Sequence, residues 1–411
     1  MECEIDERWK LVDRIAEETV TYGDGKTTLK DAIAELTVKP LTGLPIALAV
    51  LYGFWSFFSA FAGFFTDGFF VRLFDNHWLP WLQGVFPGKG SWYYFILVGD
   101  PAAGNSFEAF GMLTSGLFVA IGIVLPAITA FYLYLIILED SGYMPRLAVL
   151  IDTLLHKIGL HGFAIVPMIL SLGCNVPGVA ATRTLQTKKQ RFMMITLLAI
   201  FIPCGAQLGV IFSLIPEFAG IILLYLLIGF IFFGFILHKV IPGKSPEILI
   251  DIPPYRTPSL ENVSKKLWVR TKGFFTTAIP FVLLGVGLVN VLYLGGVIDW
   301  LAEALGPLLT TWFGVPKETV GPLVAGFLRK DLAVAQLSAI EMTKYQLISS
   351  VVLVNLYFPC IATFIMMMKE GSERGVRGVL EILGGSLLVL ATVLFIWGGL
   401  LHLIWIMMGV A

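Results

Sequence analysis

Long apolar runs alternate with short polar stretches along this chain. A helix needs about 20 apolar residues to cross a bilayer. Seven runs of that kind predict transmembrane helices near 44–65, 113–138, 191–214, 218–240, 273–298, 346–368 and 378–408. Hydrophobic residues make up 57% of the 411 and charged residues only 14%, which excludes an ordinary soluble domain. The pattern therefore predicts an all-α polytopic membrane protein.

Two further apolar stretches, 162–182 and 317–340, are interrupted by proline, glycine and polar residues. Broken helices at membrane depth are tolerated where they line a cavity, and we predict that these two form re-entrant helical hairpins. Residues 1–39 are amphipathic and are expected to lie on the membrane surface, or to connect to a further domain. Residues 66–110 are aromatic and rich in turns, and are predicted to form an irregular extracellular or interfacial cap.

The basic residues predict an orientation. Lys and Arg concentrate in three polar stretches, 183–191, 239–272 and 369–377, and the loops between them are poor in both. Cytoplasmic loops of membrane proteins carry the excess of positive charge. These three stretches and the N-terminus are therefore expected in the cytoplasm.

The two halves of the chain match at a nearly fixed offset of 155 or 156 residues. The matched pairs are Gly159 with Gly314, Pro167 with Pro322, and Cys204 with Cys360. With the orientation above, the 113–138 span runs inward and the 273–298 span runs outward, so the repeats are predicted to be inverted. Inverted repeats with interrupted helices and a site near the midplane are typical of transporters.

Three of the four cysteines lie in apolar stretches beside residues that break helices: Cys174, Cys204 and Cys360. Thiolates suit late first-row divalent ions better than Mg²⁺ or Ca²⁺, and neighbouring carbonyls or the amide of Asn175 add oxygen ligands. We predict that Cys174, Asn175, Cys204 and Cys360 contact a metal ion. The alternative is that each cysteine is a small packing residue.

Charged residues at hairpin depth are functional candidates, which here are Arg329, Lys330 and Asp331. An ion pair that locks the hairpin is the alternative. Glu139 and Asp140 end a span that is predicted to run inward. They would attract cations at a cytoplasmic mouth, or form a solvated helix terminus.

Several motifs resemble the membrane domain of FeoB, the prokaryotic ferrous iron transporter family. They are LEDSGYM at 138–144, GLHG at 159–162, GCNVP at 173–177, ATRT at 181–184, IPPYR at 252–256 and FPCIAT at 358–363. The resemblance covers about residues 5–385. It implies a multi-pass protein of the prokaryotic inner membrane that takes up Fe²⁺ through two gate repeats, with no permanently bound cofactor.

The resemblance also implies a division of the chain and a set of gating residues. The predicted parts are juxtamembrane helices at 1–39, the first transmembrane helix and cap at 40–112, the first gate repeat at 113–241, a cytoplasmic loop at 242–272, the second gate repeat at 273–368 and a C-terminal transmembrane helix at 369–411. The predicted gating and pathway residues are Pro177, Pro203, Gln207, Arg329, Lys330, Asp331, Glu139 and Asp140. Gln207 and Asp331 stand where Arg and Glu are expected, so Mn²⁺ is an alternative cargo.

The family normally carries a GTP-binding domain, which the sequence does not show. The chain is therefore expected not to be an enzyme, and any GTP hydrolysis would belong to a removed domain or to a separate protein. The expected partners are membrane lipid, the transported Fe²⁺, that GTP-binding protein and a small cytosolic accessory protein; a homo-oligomer is compatible, and nucleic acid is not expected. Two alternatives stay open: a transporter of a small organic solute such as a nucleoside, and a non-transporting membrane partner of a separate GTPase.

Overall fold

The computed structural model describes residues 14, 15, 19, 29–87, 91–102, 104–106, 109–243, 254–328, 330–337, 340–372 and 375–409. Within these ranges every regular element is helical, and one isolated bridge joins Gly99 to Phe110. Most of the predicted surface helix before residue 29 lies outside the described residues. The all-α prediction is confirmed.

Seventeen helices, numbered in chain order over the described residues, build the protein. They are α1 Leu29–Val38, α2 Pro40–Val85, α3 Trp92–Leu97, α4 Met112–Ser141, α5 Tyr143–Lys157, α6 Ile165–Gly173, α7 Asn175–Ala181, α8 Lys188–Phe201, α9 Gly205–Leu214, α10 Pro216–Val240, α11 Leu260–Leu294, α12 Val297–Trp312, α13 Val320–Leu328, α14 Lys330–Leu337, α15 Lys344–Leu356, α16 Ile361–Ser372 and α17 Gly375–Met407. Helices α2, α4 and α17 include π-helical turns.

Five segments of the described chain are long and apolar enough to cross a membrane: α2, α4, α10, the α15–α16 pair and α17. They correspond to five of the seven predicted spans. Helix α5 and the segment Gly162–Gly173 form a sixth candidate, bent by 104°. The predicted 191–214 span is divided between α8 and α9, and the 273–298 span falls within and just beyond α11. The chain is a multi-pass membrane protein.

The expected irregular cap is wrong for residues 66–85. Helix α2 continues through this stretch with two π-helical turns, Thr66–Phe70 and Phe74–Trp78. Neither Gly68 nor Pro80 ends the helix; Gly68 lies in the first π turn and Pro80 directly follows the second. Only the part beyond Val85 has the short, loop-rich character that the sequence predicted.

The two halves share one order of elements at the predicted offset. A 3₁₀ turn at Gly162–Ala164 precedes α6, and a 3₁₀ turn at Lys317–Thr319 precedes α13 155 residues later. The breaks after α6 and α13, and those after α8 and α15, keep the same spacing to within one residue. The repeat is thus present in the order and length of the helices. Its inverted orientation remains a prediction.

Both broken apolar stretches are helical hairpins. In the first hairpin, a Cβ on Gly178 of α7 would overlap the Ser171 hydroxyl of α6. In the second, a Cβ on Gly326 of α13 would lie 3.0 Å from the Cβ of Ala333 in α14. Residues seven apart in a straight helix are about 10 Å apart along its axis, so the two arms of each hairpin must fold back side by side. The contacting positions are again 155 residues apart.

A left-handed glycine against a histidine recurs in each half. Gly159 follows α5 with φ of 77° and Gly314 follows α12 with φ of 65°. The ring of His238 packs on Gly159, and the ring of His402 packs on Gly314. Each contact joins the turn before a hairpin to the last long helix of its half, and it needs the absence of a Cβ.

The halves are held together by a shared core and by polar contacts. The largest hydrophobic cluster includes Phe201 and Phe233 from the first half and Leu353 and Trp397 from the second. The hydroxyls of Thr196 in α8 and Ser386 in α17 form a buried hydrogen bond of 2.7 Å. The halves therefore form one packed unit.

An ion pair joins the end of the first hairpin to the second half. The guanidinium of Arg183, just after α7, donates from Nε at 2.8 and 2.9 Å to the carboxylate of Glu370 in α16. The Glu370 side chain is 5% exposed and that of Arg183 is 45% exposed. The pair fixes the first hairpin to the second broken helix.

We predict that Gly159→Ala and Gly314→Ala lower the melting temperature of the purified protein. The left-handed backbone alone costs a residue with a Cβ about 1–2 kcal/mol, and displacement of the histidine ring adds to that cost. Thermal unfolding in detergent measures the effect. Gly220→Ala is the control, because a Cβ at Gly220 meets nothing within 4 Å. A melting temperature unchanged in both variants would contradict the two glycine–histidine contacts.

We predict that Arg183→Gln destabilises the protein by about 1–3 kcal/mol, because it takes a charged donor from the buried Glu370 carboxylate. The double variant Arg183→Gln, Glu370→Gln should recover part of the loss. A double-mutant cycle of unfolding free energies measures this coupling. The exposed Arg377–Glu381 pair gives the control, since Arg377→Gln should change little. Strictly additive losses would show that Arg183 and Glu370 do not interact energetically.

Candidate functional site

Two prolines create the central feature of the site. Helix α8 ends before Pro203, and α15 ends before Pro359. A proline has no N–H, so the carbonyl four residues earlier loses the donor that a continuous helix would supply. These carbonyls belong to Ala199 and Asn355. Each break thus leaves a backbone acceptor deep in an apolar region, where an unpaired acceptor is costly.

One side chain donates to both of these acceptors. Lys330 begins α14, the second arm of the second hairpin, and its side chain is buried. Its Nζ donates to the Ala199 carbonyl at 3.2 Å and to the Asn355 carbonyl at 2.7 Å. The carbonyl ends of two half-helices, one from each repeat, therefore meet at a single ammonium group. The partial negative charge at helix C-termini favours a cation at this place.

The first hairpin reaches the same break in α8–α9 from its own tip. Asn175 begins α7 and donates from Nδ2 to the Ile202 carbonyl at 3.3 Å. A Cβ on Gly205 would lie 3.2 Å from the Gly173 carbonyl, so the two backbones approach closely. Asn175 and Lys330 occupy equivalent positions in the repeat. Both hairpin tips thus donate to carbonyls at the end of α8.

The three cysteines of the described chain lie around these breaks as partly exposed thiols. Cys204 and Cys360 both interact electrostatically with Lys330. Cys360 Sγ lies 3.1 Å from the Thr363 hydroxyl. Cys174, at the tip of the first hairpin, interacts with Tyr132 of α4. The arrangement brings Cys204 and Cys360 to one centre with Lys330, and leaves Cys174 on the side that faces α4.

Three buried carboxamides near the breaks have unsatisfied hydrogen-bonding atoms. They are Oδ1 of Asn175, both polar side-chain atoms of Gln207 and both of Asn355. Gln207 and Asn355 are 0% exposed. Buried amides without partners usually cost about 1–3 kcal/mol each, and a polar species bound at the breaks would offset that cost.

Sequence reasoning missed Asn355 and Thr363. Asn355 lies in the apolar run 346–358, four residues before Pro359, and Thr363 follows Cys360 by three. An amide side chain one helical turn before a proline is a sequence signal from which Asn355 could have been predicted. Thr363 is three residues after Cys360 at the start of α16, a local spacing that brings the two side chains together but is common for a threonine in a helix.

The described residues contain no group of three or more His, Cys, Asp or Glu side chains placed to hold a metal. A closed site of thiolates and imidazoles is therefore not formed by them. The donors that converge at the breaks are two thiols, backbone carbonyls and carboxamide oxygens. Such a mixed set suits weak, transient binding of a divalent ion that keeps part of its water.

The acidic pair at the end of α4 faces basic residues of α11. Asp140 accepts from Lys266 at 2.5 Å, and Glu139 accepts from Arg270 at 2.9 Å. The hydrogen bond to Asp140 raises the pKa of Lys266 above its ordinary value. Arg270 also lies 5.9 Å over the Tyr132 ring. Polar groups thus continue from Cys174 through Tyr132 to this charged cluster.

The remaining predicted residues are less central. Pro177 lies in the first turn of α7, where the missing N–H of proline is tolerated. Arg329 and the side chain of Asp331 lie outside the described residues. An apolar cavity of about 410 Å³ lies beside the α8–α9 break, lined in part by Ile202, Pro203 and Phe201. Its apolar walls offer no ligand to an ion.

Two family models match the chain. The Gate family, described as nucleoside recognition, matches residues 105–218 and 275–374, more than half of the chain. The model of the ferrous iron transport protein B C terminus matches residues 219–270. The two Gate matches coincide with the two halves of the structural repeat. No solved structure matches the chain.

The curated relatives point to the same family. The Fe(2+) transporter FeoB of Methanocaldococcus jannaschii is 28% identical over 89% of this chain. FeoB of Staphylococcus aureus (strain COL) is 25% identical over 87%, and FeoB of Legionella pneumophila (strain Lens) is 27% identical over 78%. The chain spans 58% of the length of the first two relatives and 44% of the third. The chain therefore belongs to the Gate family, and its second model match and these relatives show its similarity to the Fe(2+) transporter FeoB.

Proposed function

We propose that this chain carries Fe²⁺ across a prokaryotic cytoplasmic membrane through the centre formed by its two proline breaks. The observation that carries the proposal is the meeting of both breaks at Lys330, with Cys204 and Cys360 beside it. The names of the curated relatives supply the cargo. Burying charged and unpaired polar groups inside an apolar helix bundle costs free energy. Such a centre is therefore expected only where a polar species passes.

The ion would exchange part of its water for ligands from both repeats. Cys204 and Cys360 would supply sulfur, and the carboxamides of Asn175, Gln207 and Asn355 would supply oxygen. Fe²⁺ accepts both kinds of ligand. Few and mixed ligands keep binding weak enough for release, which conduction requires. In this proposal Cys174 guides the ion between the centre and Tyr132.

The hairpins would act as the gates. Each hairpin tip donates from one side chain, Asn175 or Lys330, to a carbonyl at the end of α8, while the hairpin arms pack in the core. Release of these bonds would let the tips move relative to α8. The ion pairs of Glu139 and Asp140 with α11 would close the path near Tyr132, on the side that the basic residues place in the cytoplasm.

Mn²⁺ is the second candidate cargo. Carboxamide and carbonyl oxygens are prominent among the donors at the breaks, and such ligands suit Mn²⁺ as well as Fe²⁺. Gln207, which stands where the family resemblance leads us to expect an arginine, leaves a neutral amide at this position. Uptake measured for both ions decides between them.

A nucleotide-binding partner belongs to the proposal. The family resemblance implies a GTP-binding module as the source of energy for transport, and the chain spans 58% of the length of two of its curated relatives. The N-terminus would face the cytoplasm, where that module and a small accessory protein would act. This chain itself would supply the pathway rather than a catalytic site.

We predict that Cys204→Ser and Cys360→Ser each lower Fe²⁺ uptake into proteoliposomes by about tenfold or more, because the hydroxyl is a much weaker ligand than the thiolate. An iron-sensitive dye inside the vesicles measures the initial rate. Cys3→Ser is the chemical control, because Cys3 precedes every predicted span. Wild-type rates in both variants would contradict the assignment of these thiols.

We predict that Gln207→Met and Asn355→Leu slow Fe²⁺ uptake while leaving the melting temperature unchanged or higher. Each variant removes a buried amide that lacks partners, which relieves a penalty of about 1–3 kcal/mol. The control is Gln346→Met, since Gln346 caps α15 through a hydrogen bond of 3.0 Å to the Thr343 N–H. That variant should lower the melting temperature and leave uptake unchanged. Loss of stability in Gln207→Met and Asn355→Leu would show that these amides are structural.

A further inference from the structure

The Lys330 ammonium occupies a cation site that is built from backbone. Its two acceptors, Ala199 O and Asn355 O, are the carbonyls whose helical donors Pro203 and Pro359 remove. The site needs both halves of the molecule, because α8 and α15 each supply one acceptor. Among the described side chains no carboxylate pairs with Lys330. The negative ends of two half-helices favour the ammonium at this place.

We propose that Lys330 is a tethered cation that holds the place of the transported ion. In the state seen here, its ammonium fills the carbonyl site and excludes a free cation from it. The ion enters only when the second hairpin withdraws Lys330, and Lys330 returns when the ion leaves. This inference rests on the proposed transport of a divalent ion and adds the residue that limits occupancy of the site.

The groups around Lys330 fit this role. The thiols of Cys204 and Cys360 interact with it, and the Asn355 carboxamide beside it has unsatisfied atoms. All are ligands for a divalent ion. A divalent ion on these donors would lie close to the ammonium and be repelled by it. Occupancy by Lys330 and by the ion is therefore mutually exclusive.

The position of Lys330 allows the exchange. It is the first residue of α14, directly after the break between the two arms of the hairpin. Movement of that tip would carry the ammonium away from the carbonyls and would repack buried residues of α14 such as Ala333 and Val334. In the first repeat the equivalent Asn175 donates to one carbonyl and carries no charge. Because only one of these two equivalent residues is charged, the two hairpin tips bind the carbonyls at the breaks with different strengths.

A second buried lysine provides a matched control. Lys189, at the start of α8, is 7% exposed and donates from Nζ to the carbonyls of His238 at 2.7 Å and Gly243 at 3.2 Å. It has the same chemistry as Lys330, with two backbone acceptors. It lies ten residues before Ala199 in the sequence, about 15 Å along the helix. A purely structural role for a buried lysine predicts the same outcome at both positions.

The test compares binding of Mn²⁺, as an air-stable probe, and uptake of Fe²⁺ for the wild type, Lys330→Gln, Lys330→Met, Lys330→Arg and Lys189→Met. Calorimetry on the purified full chain gives the Kd, and proteoliposomes give the rate. We expect Lys330→Gln and Lys330→Met to bind Mn²⁺ about tenfold more tightly, within the usual range of coupling between sites, and to transport more slowly because the ion is not displaced. Lys330→Arg retains the charge and should not bind more tightly. Lys189→Met should keep the wild-type Kd.

The outcomes separate this inference from the proposed function. An unchanged or weaker Kd in Lys330→Gln, with an unchanged melting temperature, would overturn the tethered cation while wild-type uptake still supports transport. Should Lys330→Met not fold, Lys330→Gln decides, because its amide still donates to the carbonyls without charge. An equal decrease of the Mn²⁺ Kd in Lys189→Met would also overturn the inference, since removal of either buried lysine would then have the same effect. Absence of uptake by the wild type, with or without its nucleotide-binding partner, would contradict the proposed function instead.

Discussion

In an apolar environment, a backbone acceptor without a hydrogen-bond partner is costly. This constraint organises the centre of the protein. Pro203 and Pro359 each interrupt a helix and each remove one N–H. The carbonyls of Ala199 and Asn355 are then satisfied by one ammonium that arrives from a different element. Since Lys330 is on a hairpin, the position of the hairpin and the state of both broken helices are coupled through a single side chain.

The repeat supplies the geometry, and its departures from symmetry supply the chemistry. Helix lengths, the left-handed glycines and the hairpin contacts recur about 155 residues apart. At the hairpin tips the symmetry ends: Asn175 is neutral where Lys330 is charged. A symmetric pair of ammonium groups around one centre would repel each other, whereas one charge and one amide are compatible with a shared site.

Local sequence was sufficient for the hairpins and for the repeat. Proline and glycine at 167–178 and 316–326 predict two interrupted helical stretches, and in the second the break lies between Leu328 and Lys330, beyond Gly326. Local sequence failed at 66–85, where aromatic and turn-forming residues continue α2, because π-helical turns accommodate them within a packed helix. It also failed for Asn355, whose importance comes from Lys330, which is 25 residues away in sequence.

The sequence by itself determined the membrane class, the hairpins, the repeat and the three cysteines, because apolar runs, proline breaks and spacing act over short distances. Only the tertiary structure decided that both freed carbonyls meet at Lys330, that Cys204 and Cys360 share this centre while Cys174 faces Tyr132, and that Glu139 and Asp140 are paired with α11. These facts depend on which helices pack together. That packing determines which distant segments form hydrogen bonds and charge pairs, and these partners cannot be predicted from local sequence.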